Sequence, residues 1–175
     1  SSFGVTIRPA GISPGSIRFS NATASYTVSG GAISGVANLL KDGTGSVTLG
    51  SANSYAGETI IQAGTLVVQN GAALGSVTAG TIVTNGGTLD AGGMNLGSEA
   101  VTISGTGVGG KGALVNNSGV DQINALQQLV LAGNATGLAI LAPTVSTSSI
   151  GEISTTFATA GGNVSADGGG TVITR

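Results

Sequence analysis

Seven carboxylates, Asp42, Glu58, Asp90, Glu99, Asp121, Glu152 and Asp167, are the first candidates for acid–base chemistry in this chain, which has neither His nor Cys. Cleavage of a glycosidic bond uses two carboxyl groups facing each other across the substrate, and lyase chemistry needs a base beside a charge stabiliser. Asp90 follows Leu89 on one expected strand and Glu99 precedes Val101 on another. Stacked strands can bring such a pair together, yet nothing in the spacing requires it. All seven read more simply as solvated residues of turns and outer faces, so no catalytic residue is assigned and a non-enzymatic protein is expected.

Two glycine-rich stretches invite a ligand. Gly105 to Gly112, GTGVGGKG, contains a G-x-G-x-x-G pattern with Lys111 in the lysine position of a phosphate loop. Phosphate binding there needs Ser or Thr after the lysine and a helix to follow. Gly112 follows instead, and Ala113-Leu114-Val115 reads as strand, so the stretch is a turn. Gly161-Gly162-Asn163 to Asp167 resembles a calcium-binding G-G-x-G-x-D repeat, but Val164 and Ala166 occupy the third glycine and the aspartate positions. No metal or cofactor is expected. Asn21, Asn116, Asn134 and Asn163 begin N-x-[ST] triplets, a frequency that a Ser/Thr-rich chain reaches by chance. Tyr26 and Tyr55 have faces suited to stacking on sugars, but both sit in a repeating pattern that favours packing.

The elements that hold these residues follow from composition. The 175 residues include 33 Gly, only 7% are charged, and aromatics make up 3%. Val, Ile and Thr amid so much glycine favour many short strands joined by tight turns. A mean hydropathy of +0.41 argues against disorder. No apolar run reaches the roughly 18 residues of a membrane-spanning helix. The net charge of −2, with five basic residues spread thinly, makes nucleic acid a poor partner. Without Cys and His, thiol chemistry, disulfides and the commonest zinc ligands are excluded. The chain opens Ser1-Ser2-Phe3 without Met, which suggests a processed start or an excised piece.

Along the chain, Phe3, Val5 and Ile7 alternate in an extended arm over residues 1–11, broken by Pro9 and Gly11. Ile17 and Phe19, then Tyr26 and Val28, alternate again after Pro14-Gly15. In the central stretch 41–66, Val47-Thr48-Leu49 and Thr65-Leu66-Val67-Val68 flank a polar turn containing Ser51, Asn53, Ser54 and Gly57. Gly64-Thr65-Leu66 recurs as Gly87-Thr88-Leu89 and Gly112-Ala113-Leu114, with Leu131 17 residues beyond Leu114. The fold expected is all-β: a right-handed parallel β-helix, or β-solenoid, with irregular coils of about 17 to 25 residues, each burying its inner face only against its neighbours. A β-sandwich also fits the strand spacing, but sandwiches carry more aromatic core anchors. In 121–132 helical spacing competes, and a strand over 128–132 after an irregular corner is preferred. Residues 1–175 read as one solenoid domain, with 138–175 as divergent last coils or a cap and Thr171 to Thr174 as a final strand.

The central residues also carry a resemblance. Lys41-x-Gly43-x-Gly45, Val47-x-Leu49, Asn53-x-Tyr55-x-Gly57-x-Thr59-x-Ile61 and Gly64-Thr65-Leu66 resemble the autotransporter-associated β-strand repeat, also called the passenger-associated transport repeat. Asn70-Gly71-Ala72-Ala73-Leu74-Gly75 and Asn85-Gly86-Gly87-Thr88-Leu89 are similar to the segments just downstream of that repeat in such proteins. The likeness runs over about 14–137. It departs at Val47, where Leu is usual, and at Glu58, where a small residue is usual. It implies an exported, extracellular or cell-surface bacterial β-helix.

The expected function is therefore structural. A solenoid exposes unpaired strand edges at its ends, and the arm Phe3, Val5, Ile7 is the candidate for strand addition to another copy. A homo-oligomeric or polymeric surface fibre is the leading expectation. A monomeric passenger segment acting as an adhesin or glycan-binding stalk, with cell-surface polysaccharide as partner, is the alternative.

Overall fold

The computed structural model describes residues 1–120, 125–133 and 135, and the backbone of strands at 138–139, 145–147, 152–153, 158–159 and 162–164. Two compact units divide the chain, Ser1–Ala139 and Ile140–Arg175.

The first unit is built from two parallel sheets visited in alternation. One holds β1 (Ser2–Ile7), β3 (Ser25–Gly30), β5 (Ser46–Leu49), β7 (Gly64–Val68), β9 (Gly87–Asp90), β11 (Leu114–Val115) and β13 (Leu138–Ala139), in that spatial order. The other holds β2 (Ile17–Phe19), β4 (Leu39–Lys41), β6 (Thr59–Ile61), β8 (Thr81–Val83), β10 (Gly97–Ile103) and β12 (Leu126–Leu131), likewise in order. Every pairing in both sheets is parallel. Parallel neighbours that lie one circuit apart in sequence define a β-solenoid, as the repeat spacing predicts.

Register explains the sequence pattern. Phe3, Tyr26, Val47, Leu66, Leu89, Leu114 and Leu138 are successive partners in the first sheet, 19 to 25 residues apart. A second column runs Val5, Val28, Leu49, Val68. In the facing sheet Ile17, Leu39, Thr59, Thr81, Val101 and Leu129 align, followed two residues on by Phe19, Lys41, Ile61, Val83, Ile103 and Leu131. Alternation puts each of these columns on one face of its strand, and their middle members are buried together in one core. Leu131, 17 residues beyond Leu114 in sequence, lies on the facing sheet over Ile103.

Glycine stands where coils touch. At the corner before β7, Gly64 has φ +69°, and a Cβ there would run into the carbonyl oxygens of Gly43 and Gly45 in the preceding coil. The phosphate-loop-like stretch is a glycine turn: Val108–Gly110 forms a short 3₁₀ segment, and strand β11 follows. Strand β12 starts two residues before the expected 128–132 and ends one residue short of it, while 121–124 lie outside the described residues.

In the second unit, β14 (Val145–Thr147) pairs antiparallel with β17 (Gly162–Val164), and β15 (Glu152–Ile153) with β16 (Ala158–Thr159). The expected strand Thr171 to Thr174 lies outside the described residues.

Candidate functional site

The residues singled out for assembly, Phe3, Val5 and Ile7, form the inward column of β1, which pairs with β3 from Ser2↔Ser25 to Ile7↔Gly30. Strand β1 is the first edge of its sheet and β2 the first edge of the other, so both open on the same end of the stack. Ile7 is buried, whereas Phe3 and Val5 remain 50% and 44% exposed. Deeper in the same columns Val47, Leu49, Leu66 and Val68 are sealed. The Phe3 ring stacks on Tyr26 at 5.6 Å between centroids. Between the two sheets at this end lies a cleft of about 370 Å³, lined by Val5, Arg18, Phe19, Ser20, Asn21 and Tyr26. On its outer rim Arg18 Nε and a terminal guanidinium nitrogen donate to Asp42 Oδ2 at 2.9 and 2.6 Å. That pair holds the Asp42 carboxyl below its usual range and raises the guanidinium. The Asn21 amide donates to the carbonyls of Ala24 and Ser46, at 2.5 and 3.0 Å, tying this end to the third coil.

The central repeat turns out to be stapled from inside. Lys41 follows Leu39 by two, so alternation aims its side chain into the core, where it is fully buried. Its ammonium donates to the carbonyls of Gly43 and, at 3.0 Å, Ala63. Burial lowers the lysine pKa, partly offset by Asp42. Asn53 is buried as well: its Oδ1 accepts from the Ile33 N–H at 2.9 Å, and its Nδ2 donates to the Ala73 carbonyl at 2.7 Å. One side chain thus links three successive coils. Tyr55 is wholly enclosed, its hydroxyl 2.7 Å from Thr59 Oγ1, which also reaches the Leu74 carbonyl at 3.2 Å. Burial pushes the Tyr55 phenol far up, so it stays neutral. The stretch read as a polar turn is therefore a wall of the core, and Tyr55 is unavailable for stacking on a sugar.

Two carboxylates depart from the outer-face reading. Asp90, on β9, is 6% exposed, and its oxygens accept from the Gly92 and Asn117 backbone N–H groups and the Asn117 amide, at 2.9 to 3.1 Å. It pins two coil corners. Glu99, on β10, is 3% exposed because it shares the inward phase of Val101 and Ile103; Thr81 Oγ1 donates to it at 2.8 Å. Glu58 is exposed, Asp42 is half-buried beside Arg18, and Asp121, Asp167 and the Glu152 side chain lie outside the described residues. Among the described residues no three His, Cys, Asp or Glu side chains cluster to hold a metal ion. No helix among the described residues is long and apolar enough to cross a membrane.

Burial raises the Glu99 pKa above the ordinary 4.5, so the folded chain binds its proton more tightly than the unfolded chain does. Its contribution to stability is thus fully present below about pH 4.5 and declines as pH rises through the folded value. Glu99→Gln should therefore raise the urea midpoint at pH 7, and it should flatten the gain that the parent chain shows between pH 7 and pH 5. Equal midpoint shifts between those two pH values in parent and variant would contradict this.

Stacked parallel coils, closed corners of glycine and a polar staple within the core define the class: a repeat-bearing β-solenoid. Residues 39–68 match the family described as Passenger-associated-transport-repeat. The chain is also 45% identical, over 73 residues, to the Adhesin BmaC autotransporter of Brucella suis biovar 1 (strain 1330). That alignment covers 42% of this chain and 2% of the length of the relative. No solved structure gives a significant match. Residues 39–68 thus carry a passenger-associated transport repeat, and part of the chain is similar to an autotransporter adhesin.

Proposed function

We propose that the chain is a non-enzymatic structural segment displayed outside a bacterial cell, and that its coils extend into a surface fibre by addition at the open end. The carrying observation is that half-exposed Phe3 and Val5 head two inward columns whose members from the third coil on, Val47 and Leu66 in one, Leu49 and Val68 in the other, are sealed. Unpaired β1 and β2 backbones beside uncovered apolar side chains are a template for further parallel strands. A second reading, a monomeric passenger segment serving as an adhesive stalk, draws on the relative named as an autotransporter adhesin.

Electron microscopy of the purified, untagged chain in negative stain, beside a variant lacking residues 1–11, separates the two. The fibre reading expects filaments from the full chain that disappear in the variant. Filaments in both would place the contact elsewhere. Dispersed particles in both would reject assembly and favour the adhesive stalk, whose next assay is retention on glycan-coated surfaces.

A further inference from the structure

We propose that Asn85 is a self-modification site: in the folded chain its side-chain amide closes onto the Gly86 nitrogen, and Asn85 is converted to aspartate and isoaspartate. The chemistry is independent of assembly. The sequence holds two Asn-Gly pairs, Asn70-Gly71 and Asn85-Gly86, and the fold treats them differently. Asn85 is exposed at the tip of the turn between β8 and β9, where the Gly87 N–H donates to the Thr84 carbonyl at 3.0 Å. Among the described residues neither the Asn85 side chain nor the Gly86 N–H makes a hydrogen bond. Gly86 lies at φ +105° and has no side chain to shield its nitrogen. Asn70 is restrained instead. It is half-buried, and its Oδ1 accepts the Ala72 N–H at 2.9 Å in an Asx turn, a bond that ring closure would have to give up.

The step needs no co-reactant but water. The Gly86 nitrogen loses its proton to solvent and attacks Asn85 Cγ; the Cγ–Nδ2 bond breaks, ammonia leaves, and a cyclic imide forms. Water then opens the ring at either carbonyl. Opening at Cγ gives aspartate, whereas opening at the backbone carbonyl leaves Gly86 joined through Cγ, as isoaspartate. Asn85 borders a cleft of about 360 Å³ with Ser104, Gly105, Thr106, Ala132 and Gly133, so water reaches the ring. None of these neighbours is charged, and the new carboxylate lands in a neutral corner. A methyl group on Gly105 would meet Asn85 Cα and Cβ at 2.7 and 2.9 Å. The extra backbone carbon of isoaspartate therefore falls at a contact between successive coils.

Hydroxylamine cleaves the imide and so marks each ring where it forms. The untagged full-length chain, kept folded in mildly alkaline hydroxylamine, should be cut after Asn85 at least tenfold faster than after Asn70. In urea that unfolds the chain the two rates should converge, because the Asx bond is lost. Without hydroxylamine, chymotryptic mapping by mass spectrometry should find aspartate and isoaspartate at position 85, accumulating faster in alkaline than in acidic buffer because the attacking nitrogen must lose its proton. Asn85→Gln should remove the first cut and leave the slow one. Equal cutting at both sites in the folded chain, or faster cutting after Asn70, would overturn the proposal. So would a folded chain that stays whole at Asn85 for as long as the unfolded chain takes to be cut there, or a cut that survives Asn85→Gln.

Discussion

Replacing Tyr55 by alanine should lower the stability of the solenoid by about 3 to 5 kcal/mol, the cost of truncating a large aromatic in a close-packed interior. Among the described residues Tyr55 is the largest of the fully buried side chains, and described coils flank it on both sides. Its ring lies against the backbone at Gly75, where the corner is held at φ +86° and even a methyl group would strike the ring. In a stack of coils each repeat is supported only by its neighbours, so a void at this level loosens the coils on both sides. Tyr55→Phe separates volume from polarity. It keeps the ring and removes the hydroxyl, and Thr59 Oγ1 retains the Leu74 carbonyl as a partner. The expected cost is about 1 kcal/mol, that of one ordinary hydrogen bond. Urea titration followed by far-ultraviolet circular dichroism measures both. An alanine variant no weaker than the phenylalanine variant would mean that the ring does not fill the core.

The fold is legible in the sequence because its signal is repeated: Leu66, Leu89 and Leu114, each two residues after a glycine, are one column seen three times. The polar interior is not legible in the same way. Residue type alone sends Lys41, Asn53 and Glu99 to the surface, although each sits in alternation with a buried residue: Lys41 with Leu39, Asn53 with Tyr55, Glu99 with Val101. Period-two phase is the stronger guide, because a strand cannot turn one side chain outward without turning its neighbours inward. Residue type misleads wherever the coil corners supply backbone partners, as the carbonyls of Gly43 and Ala63 do for Lys41. A buried ammonium with partners is tolerated, and one without them is not. The place of the first strand is legible only in part. The alternation of Phe3, Val5 and Ile7 reveals their common face, but that this strand pairs in parallel with β3 comes only from three-dimensional register.

Gly64→Ala is expected to cost about 2 to 5 kcal/mol, more than its single added carbon suggests, because two independent penalties fall on it. The backbone there is left-handed, φ +69°, which costs a residue with a Cβ about 1 to 2 kcal/mol. The methyl group would also enter the space between the carbonyls of Gly43 and Gly45 and the Lys41 ammonium. Those groups cannot retreat cheaply: the Gly43 carbonyl is a partner of Lys41, and the Gly45 carbonyl accepts the Thr65 N–H. Overpacking of a tight site adds about 1 to 3 kcal/mol. Gly109 supplies the comparison, since its φ of +62° is similar but nothing lies within 4 Å of the position its Cβ would take. Gly109→Ala should therefore show the backbone penalty alone, and the difference between the two variants isolates the crowding around the lysine. Removing the ammonium should narrow that difference: in a Lys41→Met background the methionine tip can yield where a hydrogen-bonded ammonium cannot. If Gly64→Ala and Gly109→Ala shift the urea midpoint equally, the contact between the 41–45 and 64 corners is not what holds these two coils together.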